Sequence, residues 1–197
     1  EGGNVGIGDI DPQRKLQLKG DRDAIIRFEN TRTTESADQI LGSLEFYSND
    51  SSGTGANVRS RINAFTAGGG NASYLTFSTA DGTTDDVKRM QIDSDGDISF
   101  YEDTGTTAKF FWDASAESLG IGTTSPATAL EVKGDGASIQ VSSADYDVAL
   151  LGRRGSSGVD LDKGYMRLRN TGATKVAIDS AGDSYFNGGW IDFCDVH

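Results

Sequence analysis

The feature that most constrains this chain is that it repeats itself. Val5-Gly6-Ile7-Gly8 returns as Leu119-Gly120-Ile121-Gly122, 114 residues on, and the register then holds without a gap to Gly20 and Gly134. Within that stretch Pro12 falls on Pro126, Leu16 on Leu130, Leu18 on Val132 and Lys19 on Lys133. A second echo, offset by 86, sets Met90-Gln91-Ile92-Asp93-Ser94-Asp95-Gly96-Asp97 against Val176-Ala177-Ile178-Asp179-Ser180-Ala181-Gly182-Asp183. Both echoes occur in the same order, so the chain is a tandem array of two units. Each unit has a Gly-Ile-Gly turn, a proline, an alternating strand, a variable middle, an Ile-Asp-Ser-x-Gly-Asp turn and a further strand.

The division expected is 1–118 for a first unit with a longer hairpin insertion, 119–186 for a second, shorter unit, and 187–197 for the start of a third unit or the end of a fragment. The whole is read as an excerpt from something longer. The two offsets differ by 28 residues. That extra length belongs to the middle of the first unit, mainly at Asn49 to Gly55 and Gly68 to Asn71, where glycine-rich insertions imply surface loops.

Period-two alternation marks Lys15 to Lys19, Val58 to Ile62, Leu130 to Lys133 and Met166 to Arg169 as half-buried strands with one apolar face. Asp81-Gly82, Asp135-Gly136 and Ser157-Gly158 lie between such runs and supply the positive φ that tight hairpins need. Only Thr34 to Leu41, with a Thr cap, holds a turn or two of helical signal, and no heptad run supports a coiled coil. Leu, Ile, Val and Phe together make 41 of 197 residues, close to the roughly 20% below which chains tend toward disorder. The chain is therefore expected to fold with a thin core and to bury its apolar face and strand edges against identical chains.

The net charge of −12 repels phosphates and anionic membrane surfaces, so nucleic acid is not expected as a partner. No apolar run approaches the roughly 18 residues of a bilayer span, and the first residues resemble no signal peptide. The expectation is a soluble piece without membrane insertion. A single cysteine, Cys194, excludes an intrachain disulfide.

Chemistry-bearing motifs each have a plainer reading. Gly6-Ile7-Gly8 and Gly120-Ile121-Gly122 lack the third glycine of a dinucleotide fingerprint and the Gly-Lys-Ser/Thr of a phosphate loop, and read as turns. Asp93, Asp95, Ile98 and Glu102 match positions of a calcium loop, but its first ligand position holds Gln91 and the echo at Asp179 to Asp183 loses the middle carboxylate. A hydrogen-bonded Asp turn is the preferred reading. The only histidine, His197, lies three residues from Cys194, too little for a nucleophile with its base or for a zinc site. The 30 acidic residues offer carboxylate pairings of glycosidase type, yet most sit beside Gly or Ser, where capping explains them. Tyr47, Tyr74, Tyr101, Phe110, Phe111, Trp112, Tyr185 and Trp190 fit strand faces or chain interfaces better than sugar stacking. Arg153-Arg154 and Lys88-Arg89 fit bridges to nearby carboxylates. No catalytic, cofactor-binding or metal-ligating residue is assigned, no cofactor is expected, and the chain is not expected to be an enzyme.

The stretches Gly3-Asn4-Val5-Gly6-Ile7-Gly8 and Leu119-Gly120-Ile121-Gly122-Thr123-Thr124-Ser125-Pro126, each leading into a Leu-x-Val/Leu strand, resemble the repeat of bacteriophage tail fibres. The repeat is common in marine and cyanobacterial phages. Leu44 to Asp50 and Ala108 to Asp113 also resemble segments of such fibres, so the likeness covers most of the chain. It implies an all-β, elongated homotrimeric fibre with an intertwined β-helix or β-prism-like shaft and hairpin insertions. It also implies a place in the virion tail, extracellular after release, and other tail or fibre proteins as partners. Host polysaccharide or protein receptors would be met through the fibre tip, and a C-terminal self-cleaving chaperone domain often accompanies such fibres. The rival readings are a tailspike polysaccharide depolymerase and a bacterial adhesin or extracellular filament.

Overall fold

The computed structural model describes residues 3–52, 55–68, 71–154, 158 and 163–187, and among them the regular elements are all β-strands. The chain opens with a parallel pair, β1 (Val5–Ile7) and β2 (Leu16–Leu18). An antiparallel meander follows: β3 (Ile40–Ser48), β4 (Asn57–Thr66), β5 (Ser73–Thr79), β6 (Val87–Ile92), β7 (Ile98–Tyr101) and β8 (Ala108–Asp113). β8 then pairs antiparallel with β9 (Ser118–Ile121), and β9 pairs parallel with β10 (Leu130–Val132), closing an eight-stranded sheet in the order β10-β9-β8-β7-β6-β5-β4-β3. The last sheet is a second antiparallel meander of β11 (Ser138–Ser142), β12 (Asp147–Arg153), β13 (Gly164–Asn170), β14 (Ala173–Asp179) and β15 (Tyr185–Phe186). The all-β expectation therefore holds. The helical signal at Thr34 to Leu41 does not, because Ile40 and Leu41 are drawn into β3 and the residues before them form only a turn.

The repeated Gly-Ile-Gly motif builds the same object twice. Val5 lies opposite Leu16 and Ile7 opposite Leu18; 114 residues on, Leu119 lies opposite Leu130 and Ile121 opposite Val132. Parallel strands ordinarily need a crossover of a dozen or more residues, yet the loop here runs only from Gly8 to Lys15 and from Gly122 to Ala129. The glycines explain how. Gly8 and Gly122 take φ of +76° and +80°, and a Cβ on either would stand 2.1 Å from the carbonyl oxygen of Lys19 or Lys133. Side chains finish the loop in matching fashion. Gln17 Oε1 accepts the N–H of Gln13 at 2.9 Å, and Glu131 Oε2 accepts that of Ala127 at 2.9 Å.

The meanders repeat as well. Gly42, Ala64, Leu75 and Ile92 form one cross-strand row, and Ile139, Leu151, Met166 and Ile178 form its counterpart. Met90 opposite Phe100 is matched by Val176 opposite Phe186. Read along these pairs, the offset falls from 114 at the parallel pair to 97 at Gly42 and Ile139 and to 87 at Ala64 and Leu151. It rises to 91 at Leu75 and Met166 and ends at 86 at Ile92 and Ile178. The first unit is thus longer by 17 residues between β2 and β3, by 10 at the β3–β4 turn around Asn49 to Gly55, and by 5 at the β5–β6 turn. At Gly68 to Asn71 the expectation is corrected, since that β4–β5 turn is 4 residues shorter than its counterpart. The largest insertion is put to use. Gly42 stands where the second unit has Ile139, and a Cβ there would meet Phe28 Cβ at 2.7 Å, so the long β2–β3 connection lays an aromatic ring on the gap.

Turn glycines follow the expectation in part. Gly82 and Gly158 have φ of +95° and +62°, but after β10 the positive φ falls on Gly134 at +144° and not on Gly136; Ser157 lies outside the described residues.

These sheets have almost no private core. Val87, Phe111 and Ala177 are the buried hydrophobic side chains among the described residues. The accessible surface is 14083 Å² for a 20.8 kDa chain, against about 8,900 Å² for a globular monomer of that mass.

Candidate assembly surface

The uncovered surface has a definite address. Following the strand pairs across the eight-stranded sheet, one row reads Gly42, Ala64, Leu75, Ile92, Ile98, Trp112, Leu119, Leu130. The next row on the same face reads Leu44, Ile62, Phe77, Met90, Phe100, Phe110, Ile121, Val132. No member of either row is polar. In the second meander the matching rows are Ile139, Leu151, Met166, Ile178 and Val141, Ala149, Leu168, Val176, Phe186. Opposed residues share a face because side chains alternate along each strand, so both meanders carry one continuous apolar face.

That face is wet in the single chain. Phe100, Phe110 and Trp112 retain 43%, 40% and 36% of their exposure, roughly 250 Å² from three aromatics alone. Contiguous apolar patches above a few hundred Å² are rare on monomers and mark association sites. Phe100 and Phe110 pack edge to face with centroids 5.3 Å apart, which holds two rings of the patch in fixed orientation.

The opposite face is polar and internally paired. Arg61 bridges Glu45 at 3.0 Å and Asp86 at 3.1 Å, and Lys88 Nζ lies 4.2 Å above the Tyr101 ring while donating to Gln91. In the second meander Asp147 accepts from Arg167 Nη2 and Arg169 Nη1, each at 2.5 Å. Burial raises the Asp147 pKa, but hydrogen bonds and charge from Arg169 and then Arg167 outweigh it and leave the carboxyl below its ordinary value.

The residues singled out for chemistry are spent on local structure. Gly122 N–H donates to the Lys109 carbonyl at 2.8 Å, so the second Gly-Ile-Gly loop is no phosphate cradle at that amide. Asp93 Oδ1 accepts the N–H groups of Asp95 and Asp97, and Asp97 Oδ1 accepts that of Ala114 at 2.8 Å. In the echo, Asp179 Oδ1 accepts the N–H of Ala181, and Oδ2 pairs with Arg154 Nε at 2.8 Å. Glu102 takes the N–H groups of Thr107, Thr104 and Thr106, which hold its carboxyl well below the usual range. Asp81 is lowered to about 2 by the N–H groups of Thr83 and Thr84, and Asp113 is lowered by that of Ala116. A general acid needs the opposite shift. Among the described residues no three His, Cys, Asp or Glu side chains come together as a metal cluster would require.

Of the aromatic residues, Phe110 and Trp112 face the apolar side, Phe111 is buried on the other, and Tyr74 stacks on Phe65 at 5.0 Å. Tyr47 and Tyr185 remain exposed. Arg89 binds Thr79 Oγ1 and the Asp103 carbonyl in place of a carboxylate, whereas Arg154 does find one. Cys194, His197 and Trp190 lie outside the described residues. The Asp147 clamp and the Phe28–Gly42 contact escaped the sequence reading; Arg167 and Arg169 alternating with Met166 and Leu168 was the available sign of the first. Neither a family model nor a curated protein matches this chain.

Proposed function

We propose that this chain is a shaft segment of a bacteriophage tail fibre, in which three parallel copies turn their apolar sheet faces toward a common axis. The observation that carries the reading is the pair of apolar rows repeated on one face of both meanders, most of whose large side chains stay exposed, with Phe28 laid over the row only at Gly42 among the described residues. Two facing copies would cover the faces and leave strand edges open. Three copies around an axis also bring each edge beside a neighbour, which suits single-layer sheets with exposed edges at β3 and β10. The task of such a shaft is mechanical: it holds a receptor-binding tip away from the particle and transmits contact to the tail. Tandem units supply length, and polar outer faces with turn-bound carboxylates keep it in solution.

Light scattering on the purified chain tests the assembly, with a three-chain mass expected and a stable monomer refuting it. Electron microscopy with an antibody against the chain tests the place: label along phage fibres is expected. Label on bacterial surfaces would select the adhesin reading, and release of reducing sugar from host polysaccharide would select the depolymerase.

A further inference from the structure

The Gly-Ile-Gly loop is built twice, but its two copies have different neighbours. In the second unit β9 is an interior strand, with β10 along one edge and β8 along the other. In the first unit β1 pairs with β2 alone, and among the described residues no strand lies along its other edge. The hydrogen bonds divide in the same way. Leu119 N–H and the Ile121 carbonyl serve the β10 side, through Ala129 at 2.9 Å and Lys133 at 2.8 Å, and Val5 N–H and the Ile7 carbonyl serve the β2 side, through Lys15 at 2.8 Å and Lys19 at 2.9 Å. Backbone groups of successive residues face opposite edges of a strand, so Gly120 and Gly122 in one copy, and Gly6 and Gly8 in the other, address the far edge. In the second unit that edge is filled: Gly122 N–H donates to the Lys109 carbonyl at 2.8 Å, and Phe110, Phe111 and Trp112 lie opposite Ile121, Gly120 and Leu119. In the first unit the Gly8 N–H meets no acceptor among the described residues.

Burial follows the pairing. Ser118 and Gly120 are buried and Leu119 is half-buried, whereas their counterparts Asn4, Gly6 and Val5 are all exposed. Ile7 is 58% exposed against 41% for Ile121. Free strand edges are ordinarily blunted by charge, proline or a bulge, yet Val5-Gly6-Ile7 has no charged residue and no proline, and its pairing with β2 runs without a register shift. Backbone donors left open beside exposed apolar side chains are the template on which a further strand is added.

We infer that the free edge of β1 is the acceptor for one strand of β8 type, supplied by a repeat unit joined ahead of it in the array. The offset of 114 that relates the two loops fixes the register. The incoming strand runs antiparallel to β1 and sets the equivalents of Phe110, Phe111 and Trp112 opposite Ile7, Gly6 and Val5, while the equivalent of the Lys109 carbonyl takes the Gly8 N–H. Gly6 has no side chain and leaves room for the middle ring, as Gly120 does for the buried Phe111. The two outer rings cover Val5 and Ile7 on the apolar face. β8 of a separate copy is already held between β7 and β9, and only four residues, 114–117, separate β8 from β9, so the donor belongs to a unit in series. The inference stands on strand pairing within this chain and holds whether or not the assembly is a phage fibre.

The test fuses a second copy of residues 98–114 directly to Glu1 of the full chain, so that Glu1-Gly2-Gly3 stand in sequence where 115–117 stand ahead of β9 and the spacing is kept. Amide hydrogen exchange is then followed residue by residue by NMR. Gly6 and Gly8 should exchange fast in the parent protein and at least about tenfold more slowly in the extended one, toward the rates of Gly120 and Gly122. The same extension with Phe111→Pro in the added copy removes a ladder donor and should abolish the slowing. Gly120 and Gly122 should stay protected in all three proteins and so report an intact fold. Gly6 and Gly8 already as protected as Gly120 and Gly122 in the parent, no slowing in the extended protein, or slowing that survives the proline overturns the inference.

Discussion

Replacing Phe100 with alanine probes the apolar face at its centre. Phe100 keeps 43% of its exposure in the single chain. With about 200 Å² for a buried aromatic side chain, association removes about 85 Å² from water at this residue, worth about 2 kcal/mol per chain at roughly 25 cal/mol per Å². In the proposed three-chain shaft the loss occurs three times, so that assembly should weaken by about 6 kcal/mol, on the order of 10⁴-fold in its dissociation constant. The ring also meets Phe110 edge to face, so the protomer itself loses about 0.5–1.5 kcal/mol. Sedimentation equilibrium reads the first effect, and far-UV circular dichroism confirms that the dissociated variant keeps its strands. Lys109→Ala, one residue from Phe110 and on the opposite face of β8, is the control and should sediment as wild type. The reasoning fails if Phe100→Ala associates as tightly as the parent protein, or if Lys109→Ala dissociates equally.

Gly122→Ala should destabilise by more than about 2 kcal/mol in urea unfolding, because it adds left-handed strain to a backbone clash with the Lys133 carbonyl, whereas Gly82→Ala, with φ +95° in open space, should cost only about 1–2 kcal/mol; equal losses would show that the close approach is unimportant. Asp147→Asn should lower the unfolding midpoint by removing the anion that two guanidiniums share, and an unchanged midpoint would contradict the clamp. Glu102, Asp81 and Asp113 have depressed folded-state pKa values. Their stabilisation is therefore complete above the ordinary values of 4.5 for Glu and 3.8 for Asp and is lost as pH falls through the lower folded values. Urea midpoints should be flat near neutrality and fall in acid, less steeply for Glu102→Gln; a midpoint that rises on acidification would reverse the sign.

Local chemistry was legible wherever one residue type enforces one conformation. Gly8 and Gly122 announced a turn, because no side chain fits beside the Lys19 and Lys133 carbonyls, though not that the turn joins parallel strands. Asp93 and Asp179 announced their turns because each carboxylate caps its own backbone. The alternation around Leu16, Ile62, Leu130 and Met166 marked strands. What stayed hidden depends on pairing between distant segments. That Trp112 joins Ile98 and Leu119 in one row, or that Phe28 lies on Gly42, follows from register, and register is a tertiary fact. Helical propensity at Thr34 to Leu41 misled because β4 offers Ile40 and Gly42 ladder partners. The insertion at Gly68 to Asn71 was misplaced for a similar reason: glycine richness marks a turn, but only strand pairing shows which turn is long.

The pairing of β8 with β9 puts the sequence period and the sheet period out of phase. The first two strands of the second repeat finish the sheet of the first, so each unit is stitched to the next by backbone hydrogen bonds. A cut placed where the repeat begins, between Glu117 and Leu119, would strip β9 and β10 from their sheet and bare the flank of β8. A cut beyond β10, at Gly134, would leave that sheet whole. Anyone shortening, swapping or duplicating segments of this chain should therefore splice by the sheet and not by the repeat.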